Sequence, residues 1–104
     1  MKDAEINLAI AKIEYPEGVC QNLTSSLTGK TITLIHGVEG RTSADYVNNW
    51  ADMGPIIERE KITVDFWDDK QWMAHNNRDT PFVKTRAETP TKAAALCYLK
   101  MKGE

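Results

Sequence analysis

Apolar residues recur at Ile6, Ala9, Ile10 and Ile13, the three-and-four spacing of one helical face, and predict a first helix over residues 4 to 14 capped by Asp3. Tyr15-Pro16 stops it. Residues 16 to 30, PEGVCQNLTSSLTGK, offer only Val19, Leu23 and Leu27 as anchors among Gly, Ser, Thr and Asn, and read as an irregular connection. TITLIH at 31 to 36 alternates β-branched, apolar and polar groups, the pattern of a half-buried strand that exposes Thr31, Thr33 and Ile35 on one side. Gly37 and Gly40 break it. A polar, turn-prone segment from Arg41 to Asn49 leads into a second helix that starts near Ala51 or Asp52 and runs to Glu60. Pro55 fits that helix only in its first turn, where its missing N–H would have had no intrahelical partner.

ITVDFW (62 to 67) and QWMAH (71 to 75) flank Asp68-Asp69-Lys70 as a hairpin. A two-residue loop at Asp69-Lys70 would set Trp67 beside Trp72, with Ile62, Val64, Phe66 and Met73 on the other face. A three-residue loop instead groups Ile62, Val64, Phe66, Trp72 and Ala74, because a one-residue slip moves the second strand's side chains across the sheet. The second register is preferred. After a polar NNRDTP linker, FVKTRAE (82 to 88) reads as a third antiparallel strand. Thr89 as N-cap, Pro90 at the first helical position and strong helix formers through Lys102 predict a last helix, ended by Gly103. Its stripe of Ala94, Cys97, Tyr98 and Met101 is widened by Ala95, Leu96 and Leu99, so most of its girth is covered. Together the elements predict an α+β fold: a single domain over residues 1 to 104, with a three- to four-stranded antiparallel sheet and two or three helices packed on one face.

Composition narrows the function classes. The chain has 104 residues, with 41% hydrophobic and 27% charged residues, ordinary values for a folded domain. Its 13 Lys and Arg against 15 Asp and Glu give a net charge of -2, so no global positive field draws in nucleic acid. A local basic group remains in Lys84, Arg86, Lys92, Lys100 and Lys102, diluted by Glu88 and Glu104. Cys20 and Cys97 show no zinc-type spacing, no signal peptide is evident, and no apolar stretch approaches the roughly 20 residues of a membrane span. These features lead to the expectation of a cytoplasmic protein with reduced thiols and no membrane association.

Candidate chemistry is sparse. Thr28-Gly29-Lys30-Thr31 has the tail of a phosphate-binding loop, but Thr24 stands where that motif needs glycine, and a strand follows where it needs a helix. His75, with Asp65, Asp68 and Asp69 nearby, could form a weak metal site, although paired acids at a hairpin tip are normally turn formers. Cys20 lacks a local reason for a depressed thiol pKa, and Cys97 reads as core. No metal site, cofactor or catalytic residue is therefore assigned, and no enzymatic activity is expected. The stretch DYVNNWADMGPII at 45 to 57 is the densest feature. Asn48, Asn49 and Asp52 offer acceptors for the free N–H groups of a helix start, while Tyr46 and Trp50 can staple back onto Ile56 or Ile57. Exposed indoles would instead anchor a partner.

Asp45-Tyr46-Val47-Asn48-Asn49-Trp50-x-Asp52, followed by Pro55-Ile56-Ile57 and ITVDF, resembles the signature region of the small NinX-like proteins of tailed bacteriophages and prophages. Glu5-Ile6-Asn7 resembles the family's start. Thr89-Pro90 with Ala93-Ala94-Ala95 and Cys97-Tyr98-Leu99 resembles its closing helix. Residues 16 to 40 match worst, and Val47 stands where the family is associated with Cys. The resemblance implies a phage accessory gene expressed in the bacterial cytoplasm, with no established activity, no cofactor and no agreed functional residues to carry over. The resulting expectation is a non-enzymatic module binding a host or phage protein through Tyr46, Asn48, Asn49, Trp50, Asp52, Trp67 and Trp72. Two alternatives stand beside it: a nucleic-acid accessory factor of phage replication or recombination using Lys84, Arg86 and Lys92, with Trp72 or Phe82 stacking on bases, and a small metal-dependent hydrolase.

Overall fold

The computed structural model describes residues 1–40, 42–77 and 81–103. Arg41 of the expected turn segment, Arg78, Asp79 and Thr80 of the expected linker, and Glu104 lie outside the described residues. Elements follow in the order α1 (Asp3–Glu14), β1 (Val19–Thr24), β2 (Thr31–His36), β3 (Ser43–Ala44), α2 (Trp50–Glu60), β4 (Thr63–Phe66), β5 (Trp72–His75), β6 (Lys84–Ala87) and α3 (Pro90–Met101). The fold is α+β, as the sequence predicts, with the described strands in two antiparallel sheets of three, β1-β2-β3 and β4-β5-β6. The chain divides into two units, Met1–Asp45 and Tyr46–Glu104.

In the first unit α1 packs on β1 and β2 and buries Ile6, Asn7, Ile10 and Ala11. Its cap position is Lys2 in place of the expected Asp3, and the Lys2 backbone N–H donates to the Glu5 carboxylate at 3.2 Å. The expected irregular connection holds a strand: β1 runs antiparallel to β2 with Gln21 opposite Leu34. Gly18 leads into it at a close approach, since a Cβ there would meet His36 O at 2.9 Å and Val38 Cγ2 at 2.8 Å. The faces of β2 are also the reverse of expectation, with Thr33 and Ile35 buried and Ile32 exposed. Asn22 makes a polar inner face tolerable, because its side chain donates to Ala4 O at 2.9 Å and accepts from the Thr33 hydroxyl at 2.7 Å.

In the second unit α3 packs on all three strands and α2 packs on α3. Ala93, Ala94, Ala95, Cys97, Tyr98 and Leu99 are buried, and the small residues let the helix lie close to Ala74 and Ala87 of the sheet. Thr89 caps α3 by accepting from Lys92 N–H at 3.2 Å, as its sequence predicts. The hairpin takes the three-residue register: Phe66 pairs with Trp72 and Val64 with Ala74. Asp68 fixes the turn, its Oδ1 accepting from Lys70 N–H at 2.8 Å and Gln71 N–H at 2.9 Å. Lys61, left-handed at φ 56°, ends α2 and turns the chain straight into β4. Pro55 differs from expectation. It lies inside α2, beyond the first turn, because the helix begins at Trp50.

Candidate functional site

Strand alternation and register divide the second sheet into two faces. Ile62, Val64, Phe66, Trp72, Ala74, Thr85 and Ala87 share the side covered by α3, while Asp65, Met73, His75, Lys84 and Arg86 share the open side. Cover fails toward the hairpin turn. Ile62 and Ala74 are buried, Val64 and Trp72 half-buried, and Phe66 is 72% exposed. There Phe66 stacks on Trp72 with centroids 4.0 Å apart and planes tilted 28°. A stacked pair of this kind forms an apolar ledge.

Trp67 follows β4 on the open side, 48% exposed, with the Arg86 guanidinium 4.7 Å and the Lys84 ammonium 5.7 Å from its ring centroid. A guanidinium stacked on an indole keeps its N–H edges outward, ready for a carboxylate or phosphate. Among the described residues neither Lys84 nor Arg86 has a carboxylate partner within 4.0 Å. The hairpin end thus carries an aromatic pair on the α3 side and, on the open side, an indole with two available cations.

The other expected residues scatter. Tyr46 is 3% exposed and belongs to the interior with Val47, so it presents no contact surface. Asn49 caps α2, its Oδ1 accepting from Ala51 N–H at 2.8 Å. Asn48 is exposed, Asp52 half-buried, and Trp50 is 55% exposed at the first residue of α2, on a different element from Trp67 and Trp72. The knot at 45 to 57 is therefore chiefly a helix start. Of the basic group, Lys84 and Arg86 come together on the sheet, whereas Lys92 of α3 bonds Glu88, just ahead of that helix, at 3.0 Å and Lys102 pairs with Glu60 at 3.3 Å.

Thr28-Gly29-Lys30-Thr31 closes the β1–β2 hairpin, with Gly29 at φ 73° and its N–H given to Ser25 O at 2.9 Å. Its amides serve the turn. His75 Nδ1 accepts from Asn77 N–H at 3.2 Å, and its ring lies 6.0 Å from Phe82. Asp68 is engaged in its own turn, and among the described residues no cluster of three or more His, Cys, Asp or Glu could hold a metal. Burial pushes the Cys97 thiol up to about 11, slightly opposed by Lys100, so it stays protonated at neutral pH. Among the described residues no helix is long and apolar enough to cross a membrane.

Sequence reasoning grouped Phe66 with Trp72 on one strand face but named only Trp72 as a contact residue, and it considered Phe82, which is exposed, only as a base-stacking residue of the nucleic-acid alternative. Their signal is position: both Phe66 and Trp72 flank the turn, where a short helix cannot cover them. The model of the family described as "Bacteriophage P22, NinX" matches residues 1–102 of the chain. No curated protein matches it.

Proposed function

The chain belongs to the bacteriophage P22 NinX family, and on that footing we propose that it is a phage accessory protein that works by binding another protein, with the β4–β5 hairpin end as its contact surface. The observation that carries this reading is Trp67 held under Arg86 at 4.7 Å on the open face of the hairpin end, whose other face carries the exposed Phe66–Trp72 stack. Trp, Tyr and Arg dominate binding hot spots because they bury much area while losing little side-chain freedom. The partner grips the hairpin end from both sides, an apolar group against the stacked rings and a carboxylate on the guanidinium fork of the opposite face. Host cytoplasm is the fitting compartment, since Cys20 and Cys97 are both free thiols.

A continuous polyanion fits less well. Asp65, Asp68 and Asp69 sit on the same hairpin, the formal net charge is -2, and Lys92 of the basic group is tied to Glu88. Affinity purification from phage-infected cells tests the reading, with wild type set against a folded Trp67→Ala/Arg86→Ala variant. The expected result is a protein recovered at least tenfold less by the variant, insensitive to nuclease. Equal recovery overturns it, as does material lost on nuclease treatment and weakening steeply with salt, which would mark a nucleic acid.

A further inference from the structure

The first sheet is built inside out. Cys20, Asn22 and Thr24 pair with Ile35, Thr33 and Thr31 on the side facing α1, while Val19, Gln21 and Leu23 pair with His36, Leu34 and Ile32 on the outside. The outer residues include Val19, 65% exposed, and Leu23, 58% exposed. Both lie on β1, the edge of its sheet, and among the described residues nothing pairs with that edge. The Ile35 N–H donates to Thr42 O, toward β3, so its opposite residue Cys20 turns its backbone groups away from β2, as do Asn22 and Thr24.

Edges of this kind are ordinarily protected by a lysine, a proline or a bulge. Here protection is absent, for residues 19 to 29, VCQNLTSSLTG, contain no charged side chain and no proline in a chain that is 27% charged. We propose that β1 is a self-association strand, pairing antiparallel with β1 of a second copy of this chain about a two-fold axis through Gln21. In that register the outward backbone groups of Cys20 bond those of Asn22 in the other copy, and Val19 lies opposite Leu23 twice over. The two sheets become one of six strands.

Charge decides in favour of a second copy over a foreign partner. A two-fold contact sets residues near the axis against themselves, which any charge on β1 would oppose and a neutral strand allows. A single six-residue strand pair buries little, so the dimer is weak, in the micromolar range or above. This contact lies on the first sheet and does not depend on the hairpin proposal.

The test is sedimentation of the full chain from about 1 μM to about 1 mM. Wild type is expected to pass from monomer to dimer. Gln21 is exposed, so Gln21→Lys and Gln21→Glu should each fold, as circular dichroism checks, yet dimerise at least tenfold more weakly, because like charges meet at the axis. An equimolar mixture of the two variants should restore dimers. A wild type that stays monomeric throughout, variants that dimerise as well as wild type, or a mixture that fails to rescue would each overturn the proposal.

Discussion

Replacing Gly54 and Pro55 by alanine should stabilise the protein, and the two substitutions should be coupled. Pro55 sits within α2 beyond its first turn, so the Ala51 carbonyl lacks the N–H it would otherwise accept and meets the pyrrolidine ring instead. Pro55 is exposed, so its ring contributes little packing in return. Interior proline is disfavoured by about 3 kcal/mol relative to alanine. Proline restricts the unfolded chain by about 0.4–1 kcal/mol, which alanine gives up. Pro55→Ala should therefore gain about 2 kcal/mol, or roughly 8–16 °C in Tm for a domain of this size. Gly54 is present because proline follows: a Cβ there meets nothing within 4 Å apart from its chain neighbours, yet it would press on the Pro55 ring. Gly54→Ala alone should be close to neutral, but in the Pro55→Ala background it should add about 0.5–1 kcal/mol. Urea unfolding followed by circular dichroism measures all four corners of the cycle. A destabilised Pro55→Ala protein, or full additivity, would refute the reasoning.

Three further outcomes follow from particular contacts. Thr85→Val removes the buried hydroxyl that donates to Ala93 O at 2.7 Å and should cost about 1 kcal/mol, whereas Thr85→Ser should lose less, as urea midpoints will show. Glu60 is held below the usual carboxylate range first by the hydrogen bond from Arg59, against burial that raises it, with Lys102 assisting. Its folded pKa is the lower one, so its contribution is present above the ordinary glutamate value and lost as pH falls through the lowered one. The stability gap between wild type and Glu60→Gln should accordingly close on acidification. With Cys97 buried and its thiol near 11 while Cys20 is half-buried, a thiol reagent at neutral pH should label Cys20 alone until the chain unfolds, which intact-mass measurement detects.

What the sequence made legible was whatever short-range pattern controls. Thr89-Pro90 and the run to Gly103 define α3 because cap, first-turn proline and helix formers all agree. The hairpin followed from period-two alternation, which left two registers open; the preferred three-residue one is the one Asp68 fixes in the structure through its turn. β1 was missed because its inward residues Cys20, Asn22 and Thr24 are polar or small. Burying that face depends on Asn22 reaching Ala4 O and the Thr33 hydroxyl, contacts 18 and 11 residues away. The start of α2 was misplaced because three side chains, Asn48, Asn49 and Asp52, could each cap it, and only the fold selects Asn49. At the candidate site, Trp67 and the cations Lys84 and Arg86 appeared as rival binding features. Pairing of Met73 with Arg86 across β5 and β6 brings them together, and that register is not written in either segment alone.

All three indoles, Trp50, Trp67 and Trp72, fall in the unit Tyr46–Glu104, and Met1–Asp45 has none. Intrinsic emission excited at the red edge therefore originates wholly in the second unit, while far-ultraviolet ellipticity includes α1 and its sheet as well. Superimposable denaturation curves from the two optical signals would mark one all-or-none transition for the whole chain, and curves that part would reveal two.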